Sequence, residues 1–327
     1  MSLTQQLTVE TSMRSSTEAE TVFLSVFAQS VCAVIVTYFP DPGISERVSR
    51  IVDQVPHTVI VDNGSSPDCI EQLKRIAENS PVELILNPRN QGLASGLNTG
   101  VRWAASHGFQ WALTLDQDTT VAPDMIEILA ALVNGYPAPE RLAVVGSNYR
   151  DKVSGALFRE PVAGANGFPG REIPSVVSSG SLLSINVFQT IGGFRDDFFI
   201  DCVDHEYCLH ARSLGFHVVL TCKPAMEHGM GHLTQHRLLW KKVNTSNHSP
   251  VRRYFAVRNM VILTREYVSK EPRWIVFSLW ELTKSVIFIC LFEKEPISQA
   301  KYMLKGFVDG ALGRTGPLKQ WKAELHS

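Results

Sequence analysis

The alternation of short apolar runs with amphipathic stretches over residues 31–116 limits the fold more than any other feature of the chain. Val31-Cys32-Ala33-Val34-Ile35-Val36 is a continuous apolar run of strand length, and Thr58-Val59-Ile60-Val61 is a second. Glu83-Leu84-Ile85-Leu86 reads as a third strand and residues 111–115 as a fourth. Between them, residues 45–54, 67–78 and 93–106 carry helical periodicity. The order β-α-β-α-β-α-β predicts an α/β fold with a mainly parallel, Rossmann-like sheet, because parallel neighbours need long crossovers and those helices cover the sheet. Glycines at 92, 96 and 100 fall four apart, on one helix face, and predict that this helix packs closely.

In open sheets of this kind, ligands bind at the carboxyl ends of the strands. Those ends here carry Thr37-Tyr38, Asp62-Asn63, Asn87-Pro88 and the acidic triplet Asp116-Gln117-Asp118. Two carboxylates that close repel each other and lose hydration, and a divalent cation such as Mg2+ or Mn2+ neutralises them. The triplet also fits ordinary capping chemistry, with Asp118 or Thr119 capping a helix that begins near Pro123-Asp124-Met125. A dinucleotide fold needs Gly-x-Gly-x-x-Gly after the first strand, and Thr37-Tyr38-Phe39-Pro40-Asp41-Pro42-Gly43 cannot make that turn. A Gly-x-x-x-x-Gly-Lys-Ser/Thr phosphate loop is also absent from the sequence.

Further on, Asp201-Cys202-Val203-Asp204-His205-Glu206 leads into a helical run that Gly215 stops. Asp201 as N-cap and Asp204 in the first turn would stabilise that helix. Three acids within six residues exceed what a cap needs, which makes this run the second acidic centre of the chain.

Val34-Ile35-Val36-Thr37-Tyr38, Val61-Asp62-Asn63-Gly64-Ser65, Asn90-Gln91-Gly92-Leu93-Ala94 with Asn98, Leu115-Asp116-Gln117-Asp118, Ser178-Ser179-Gly180 and residues 199–206 occur in a fixed order. In that order they resemble the inverting family 2 glycosyltransferases of the GT-A fold, over most of residues 31–260. The Asp-Gln-Asp form, the Phe199-Ile200-Asp201-x-Val203-Asp204-x-Glu206 form and Ser249-Pro250-x-Arg252-x-Tyr254 with Arg258-Asn259 look most like bacterial rhamnosyltransferases of the O-antigen and rhamnolipid type.

The resemblance implies a donor site formed by Thr37, Tyr38, Asp62, Asn90, Gly92, Asn98, Asp116 and Gln117. In it, Asp62 would accept a hydrogen bond from the imide N–H of thymine or uracil, and Asp116 would lie near the ribose. Asp118, with Asp116, would bind Mg2+ or Mn2+, and His228 is the candidate third protein ligand, with His232 as its substitute. Asp204 takes the position of the catalytic base ahead of Asp201. The acceptor side would comprise Ser179, Gly180, Asp201, Arg252 and Arg258, although the arginines flanking Tyr254 also fit a solvated helix face. The implied reaction is transfer of L-rhamnose from dTDP-L-rhamnose to a hydroxyl of a glycolipid or lipid-linked glycan. The competing reading is a non-catalytic sugar-nucleotide-binding partner of another transferase.

Composition and charge bound the remainder. Residues 1–30 are rich in Ser, Thr and Glu, lack a basic start followed by an apolar run, and read as a disordered tail rather than a signal peptide. The six cysteines form no Cys-x-x-Cys pair and read as reduced thiols. Residues 1–225 carry a net charge of −9 and residues 226–327 a net of +8, which separates a catalytic domain at 31–225 from a basic, amphipathic C-terminal helical region. Apolar residues 274–292 are long enough to consider as a membrane span, but Glu281 and Lys284 stand near the centre. A helix on the inner-membrane surface of a cytoplasmic enzyme, or one packed on the domain, fits them better. No nucleic-acid motif accompanies the basic residues.

Overall fold

The computed structural model describes residues 21–152, 155–160, 164, 167–229, 234–238, 241–245, 247–293 and 295–318. Its first half is the alternation read from the sequence. Strands β1 (Val31–Thr37), β2 (His57–Asp62), β3 (Val82–Leu86) and β4 (Trp111–Asp116) are joined by helices α2 (Ile44–Val52), α3 (Pro67–Asn79) and α4 (Leu93–Ser106). The four strands pair in parallel in the order β3-β2-β1-β4. The chain order reverses between β1 and β4, which opens a crevice at their carboxyl ends.

Beyond β4 the sheet becomes mixed. The two-residue strand β5 (Thr120–Val121) precedes α5 (Met125–Gly135), and β6 (Leu142–Asp151), β7 (Gly170–Glu172), β8 (Ser181–Ser184) and β9 (His217–His228) complete the sheet. Strand β8 lies antiparallel between β4 and β6, and β9 runs parallel to β6. Helices α6 (Ile185–Ile191) and α7 (Val203–Ser213) cover this half. The helix expected after the acidic triplet starts after Asp124, which holds the N-cap position without a side-chain capping bond, rather than after Asp118 or Thr119, because β5 intervenes.

Strand β1 shows why its sequence is continuously apolar. Val31, Ala33 and Ile35 enter one buried cluster, while Cys32, Val34 and Val36 enter another. Successive side chains of a strand face opposite ways, so a sheet covered on both sides buries every position. Helix α4 lies on β1 through its glycines: a Cβ at Gly96 would come within 2.7 Å of Val36 Cγ1, and one at Gly100 would collide with Val34.

Two sequence expectations change. Residues 21–29, placed in a disordered tail, form helix α1, and Phe27 packs beside Trp111 at 6.3 Å between ring centroids. Residues 1–20 lie outside the described residues. The boundary at 225/226 falls inside β9, and the helices that follow are bound into the catalytic domain. These are α8 (Pro250–Tyr267), α9 (Pro272–Phe292) and α10 (Pro296–Ala311), preceded by the hairpin β10 (Thr234–Leu238) and β11 (Lys241–Thr245). Glycines again set the spacing, with Gly306 and Gly310 of α10 against the backbone of Tyr254 and Arg258 in α8.

The Gly100 contact yields a test. Alanine improves helix propensity by about 1 kcal/mol, but its methyl meets a β-branched valine that cannot rotate away. Gly100→Ala should therefore lower the stability by about 1–2 kcal/mol net, seen as a lower urea midpoint with an unchanged m-value.

Candidate active site

A cleft of about 540 Å³ opens where the ends of β1 and β4 meet the loop before α7. Ten of the residues expected at the site line it: Thr37, Tyr38, Asn90 and Gly92, then Asp116, Gln117 and Asp118, and on the acceptor side Asp201, Asp204 and Arg252. Asp62, Asn98, Ser179, Gly180 and Arg258 are buried behind it.

The acidic triplet is held from three directions. Gln117 spans the end of β1, its Oε1 accepting from Tyr38 N–H at 2.7 Å and its Nε2 donating to Tyr38 O at 3.1 Å. Gln117 thus shapes the loop instead of offering its amide to a donor. Arg47 donates to the Gln117 carbonyl at 2.6 Å and pairs with Asp41 at 2.8 Å. Ser179 Oγ accepts the Asp116 N–H at 3.0 Å and shares a hydrogen bond with Thr119.

Ser179 and Gly180 are accordingly structural rather than acceptor contacts. Gly180 has φ +71°, and a Cβ there would run into Met226. The neighbouring Ser178 N–H donates to Asp204 Oδ2 at 3.2 Å. A two-residue step of backbone therefore couples the triplet to the second acidic centre.

Asp62 also changes role. Its carboxylate accepts from Thr37 Oγ1 (3.0 Å), Gly64 N–H (3.0 Å), Ser65 N–H (2.8 Å) and Ser65 Oγ. Fully buried and occupied on both oxygens, it organises the turn and cannot present itself to a nucleobase. Asn63 lines the cleft instead, braced by Gly92 O and Asn87. Strand alternation was the available signal, since adjacent residues at a strand end face opposite ways. Asn98 is buried too and fastens the loop at Phe194 and Asp196.

The second acidic centre sits on a strained loop. Phe199, Asp201 and Cys202 have φ of 66°, 60° and 60°, a region that side chains rarely adopt. The N-cap of α7 is Cys202 rather than Asp201, and Asp204 lies in the first turn with its Oδ1 accepting His205 N–H at 2.8 Å. Asp201 pairs with Arg252 at 3.2 Å; burial pushes its carboxyl upward and the guanidinium pulls it back. Burial beside Asp201 and Asp204 raises the Cys202 thiol, which remains protonated. Gly92, with φ +92°, allows the loop to approach α4, because a Cβ there would meet Phe199 O at 2.6 Å.

Arg258, expected at the acceptor, has no exposed surface. It donates to the carbonyls of Asp197 and Phe198 at 3.0 Å each and to Gly316 O. Asn259 Nδ2 reaches the carbonyls of Phe198, Ile200 and Asp201 within 2.8–3.1 Å.

Metal fit follows from the oxygen donors. Asp116 and Asp118 line the cleft together, while among the described residues no group of three His, Cys, Asp or Glu side chains is placed to hold a metal. Mg2+ is commonly held by one or two carboxylates plus substrate phosphates, so the pair fits a cation bound with a diphosphate. The backbone of His228 ends β9, one residue past the Thr120–Glu227 pairing that adjoins the triplet. Its side chain and all of His232 lie outside the described residues.

Glu206 completes the acidic run but faces the core. It is 2 % exposed, accepts from Tyr267 O–H at 2.9 Å, and leaves Oε2 without a partner. Burial pushes its pKa up to about 7, against the counter-pull of Tyr267 and Arg195. A raised carboxylate pKa means that the folded state binds the extra proton. Stability is thus greatest below the ordinary carboxylate range and falls as pH rises toward 7, by about 3 kcal/mol at most. Glu206→Gln should flatten this slope in urea unfolding between about pH 4.5 and 7, the interval from the ordinary carboxylate value to the raised one.

Residues 32–191 match the family described as Glycosyl transferase family 2. The chain is 28% identical over 301 residues to the dTDP-rhamnosyl transferase RfbF of Shigella flexneri, covering 88% of this chain and 97% of that protein. Among solved structures, residues 1–349 of S. aureus TarS superpose with a TM-score of 0.56 at 13% identity, covering 86% of this chain and 80% of that one. The Pyrobaculum calidifontis mannosyltransferase PcManGT, in complex with GDP-Man and Mn2+, superposes with a TM-score of 0.53 at 15% identity, covering 87% and 86%. The chain therefore carries a family 2 glycosyl transferase domain on a GT-A fold and is a glycosyltransferase.

Proposed function

We propose that the protein transfers L-rhamnose from dTDP-L-rhamnose, with inversion, to a hydroxyl of a glycolipid or lipid-linked glycan of rhamnolipid or O-antigen type. The observation that carries this reading is the coupling of two acidic centres in one cleft. Asp116 and Asp204 are each one hydrogen bond from the adjacent residues Ser179 and Ser178. A protein that only bound a sugar nucleotide would have no use for the second centre. The likeness to RfbF supports dTDP-rhamnose as donor. Val177 and Ile200 line the cleft beside the acids and suit the methyl group that a 6-deoxyhexose carries in place of a hydroxymethyl.

The nucleotide lies against Tyr38, Asn63 and Asn90 in this reading, and the diphosphate reaches Asp116 and Asp118. A bound Mg2+ or Mn2+ supplies charge neutralisation for the departing nucleoside diphosphate. Asp204 takes the proton of the acceptor hydroxyl as its oxygen attacks the anomeric carbon. Asp201 and Arg252 flank that acceptor. His205 lines the cleft one residue on, with Nδ1 hydrogen-bonded to Ser175 at 3.0 Å.

Two substitutions separate the roles. Asp204→Asn should lower transfer by about 10²–10⁴-fold while calorimetric affinity for dTDP stays unchanged, and ordinary transfer by this variant removes the base assignment. Asp118→Ala should weaken dTDP binding in Mg2+ by about tenfold or more but leave binding in EDTA alone. Turnover is measured with dTDP-L-rhamnose, UDP-sugars and GDP-sugars in the presence of a bacterial lipid extract. Tight nucleotide binding with no turnover of any donor would instead establish the non-catalytic partner.

A further inference from the structure

Of the sixteen large apolar side chains exposed among the described residues, ten lie between Val276 and Leu312. Such a concentration is not the ordinary scatter of surface apolar residues and marks an interaction face. Helix α9 turns Ile275 and Ile289 inward, the first into the main core and the second against Val257 and Met303. Its opposite side presents Val276, Trp280, Ile287 and Leu291, each half or more exposed. Helix α10 repeats the arrangement, with Gly306 and Gly310 on α8 and Ile297, Leu304, Val308 and Leu312 facing away.

Cations interleave with these stripes. Arg273 and Lys284 stand near Trp280, with the Lys284 ammonium 5.9 Å from the indole. Lys301 and Lys305 alternate with Ile297, Leu304 and Val308. Two of the neighbouring carboxylates are engaged: Glu281 pairs with Lys284 at 2.6 Å, and the buried Asp309 accepts from Tyr254 and pairs with Lys305.

We propose that α9 and α10 together dock this glycosyltransferase on an anionic bilayer surface, lying within its headgroup region. Apolar side chains enter the acyl boundary while lysine and arginine stems carry their charges up to lipid phosphates. The 21 residues of α9 are long and apolar enough to cross a membrane. However, Ile275 and Ile289, near its two ends, are both pinned to the protein, so the helix lies along the domain instead of leaving it. A second copy of the chain is a poorer occupant, because a two-fold contact would bring the same cation-bearing patch of both copies together.

The face adjoins the cleft. Trp274, in the first turn of α9, packs edge-on against His205 at 5.3 Å, and His205 lines the cleft beside Asp204. The inference rests on the lipid-acceptor reading for its purpose only, and vesicle binding is measured without turnover, so either can fail alone.

The test is cosedimentation of the full-length protein with vesicles of phosphatidylethanolamine and phosphatidylglycerol, and separately with phosphatidylcholine. Binding should favour the anionic vesicles and weaken with salt. Trp280→Glu combined with Leu304→Glu should reduce it by about tenfold or more, with dTDP affinity unchanged as the check on folding. Lys301→Glu, a polar surface exchange, should lower binding to anionic vesicles only. Absence of vesicle binding, or equal binding by the double variant, overturns the proposal. So does a dimer seen by light scattering that the same variant dissociates, since the face is then a subunit interface.

Discussion

The clamp that α8 places on residues 197–201 is the interaction on which the rest of the site depends. Every backbone carbonyl from Asp197 to Asp201 accepts a hydrogen bond from outside the loop: Arg258 serves the first two, Asn259 serves Phe198, Ile200 and Asp201, and Leu93 N–H serves Phe199. Three side-chain-bearing residues at positive φ cost about 1–3 kcal/mol each. Hydrogen bonds from a charged, buried donor contribute about 1.5–3 kcal/mol each. The two magnitudes are comparable, so the loop keeps its shape only while the clamp is intact. Burial disfavours the charge on Arg258, and its stacking on Phe255 at 4.8 Å together with the carbonyls offsets that cost.

This clamp explains why the C-terminal helices cannot be treated as an attachment. Helix α8 delivers Arg252 into the cleft from its first turn and Arg258 behind the cleft two turns later. Helix α10 supports it from beyond, with glycines that let the two backbones meet. The parallel half of the sheet holds the acidic triplet, but the second acidic centre is positioned by residues more than fifty positions downstream.

Much of the site was legible because its determinants are local. Apolar runs of strand length, Gly96 and Gly100 of α4 and the two acidic clusters each follow from a short spacing, and the placement of the first cluster at a strand end follows from the α/β order, whereas Gly92 precedes the helix and makes room for Phe199 instead. What escaped was direction and partnership. Asp62 and Asn63 adjoin in sequence, and only the structure shows that the aspartate turns inward to four donors. Arg258 and Arg252 lie six residues apart on one helix, close to two turns, yet one is buried and the other reaches the cleft. Net charge suggested a separate basic module, whereas packing joined it to the domain. Polar residues near a site read as ligand contacts in a sequence, but as braces once their hydrogen bonds are known.

The electrostatics of the cleft then constrain the order of events on the proposed reading. Asp116, Asp118, Asp201 and Asp204 all line it, and Arg252, already paired with Asp201, is the arginine among its lining residues. Two unit charges 4 Å apart interact by about 4 kcal/mol at an effective dielectric constant of 20, so a diphosphate entering beside Asp116 and Asp118 meets substantial repulsion. A divalent cation held by Asp116 and Asp118 would offset that repulsion, and the diphosphate would complete coordination positions that two carboxylates leave to water. A donor bound there together with such a cation would weaken the negative field that the triplet casts toward Asp204. The acceptor hydroxyl, which must lose a proton to Asp204, is best engaged after that neutralisation and not before it.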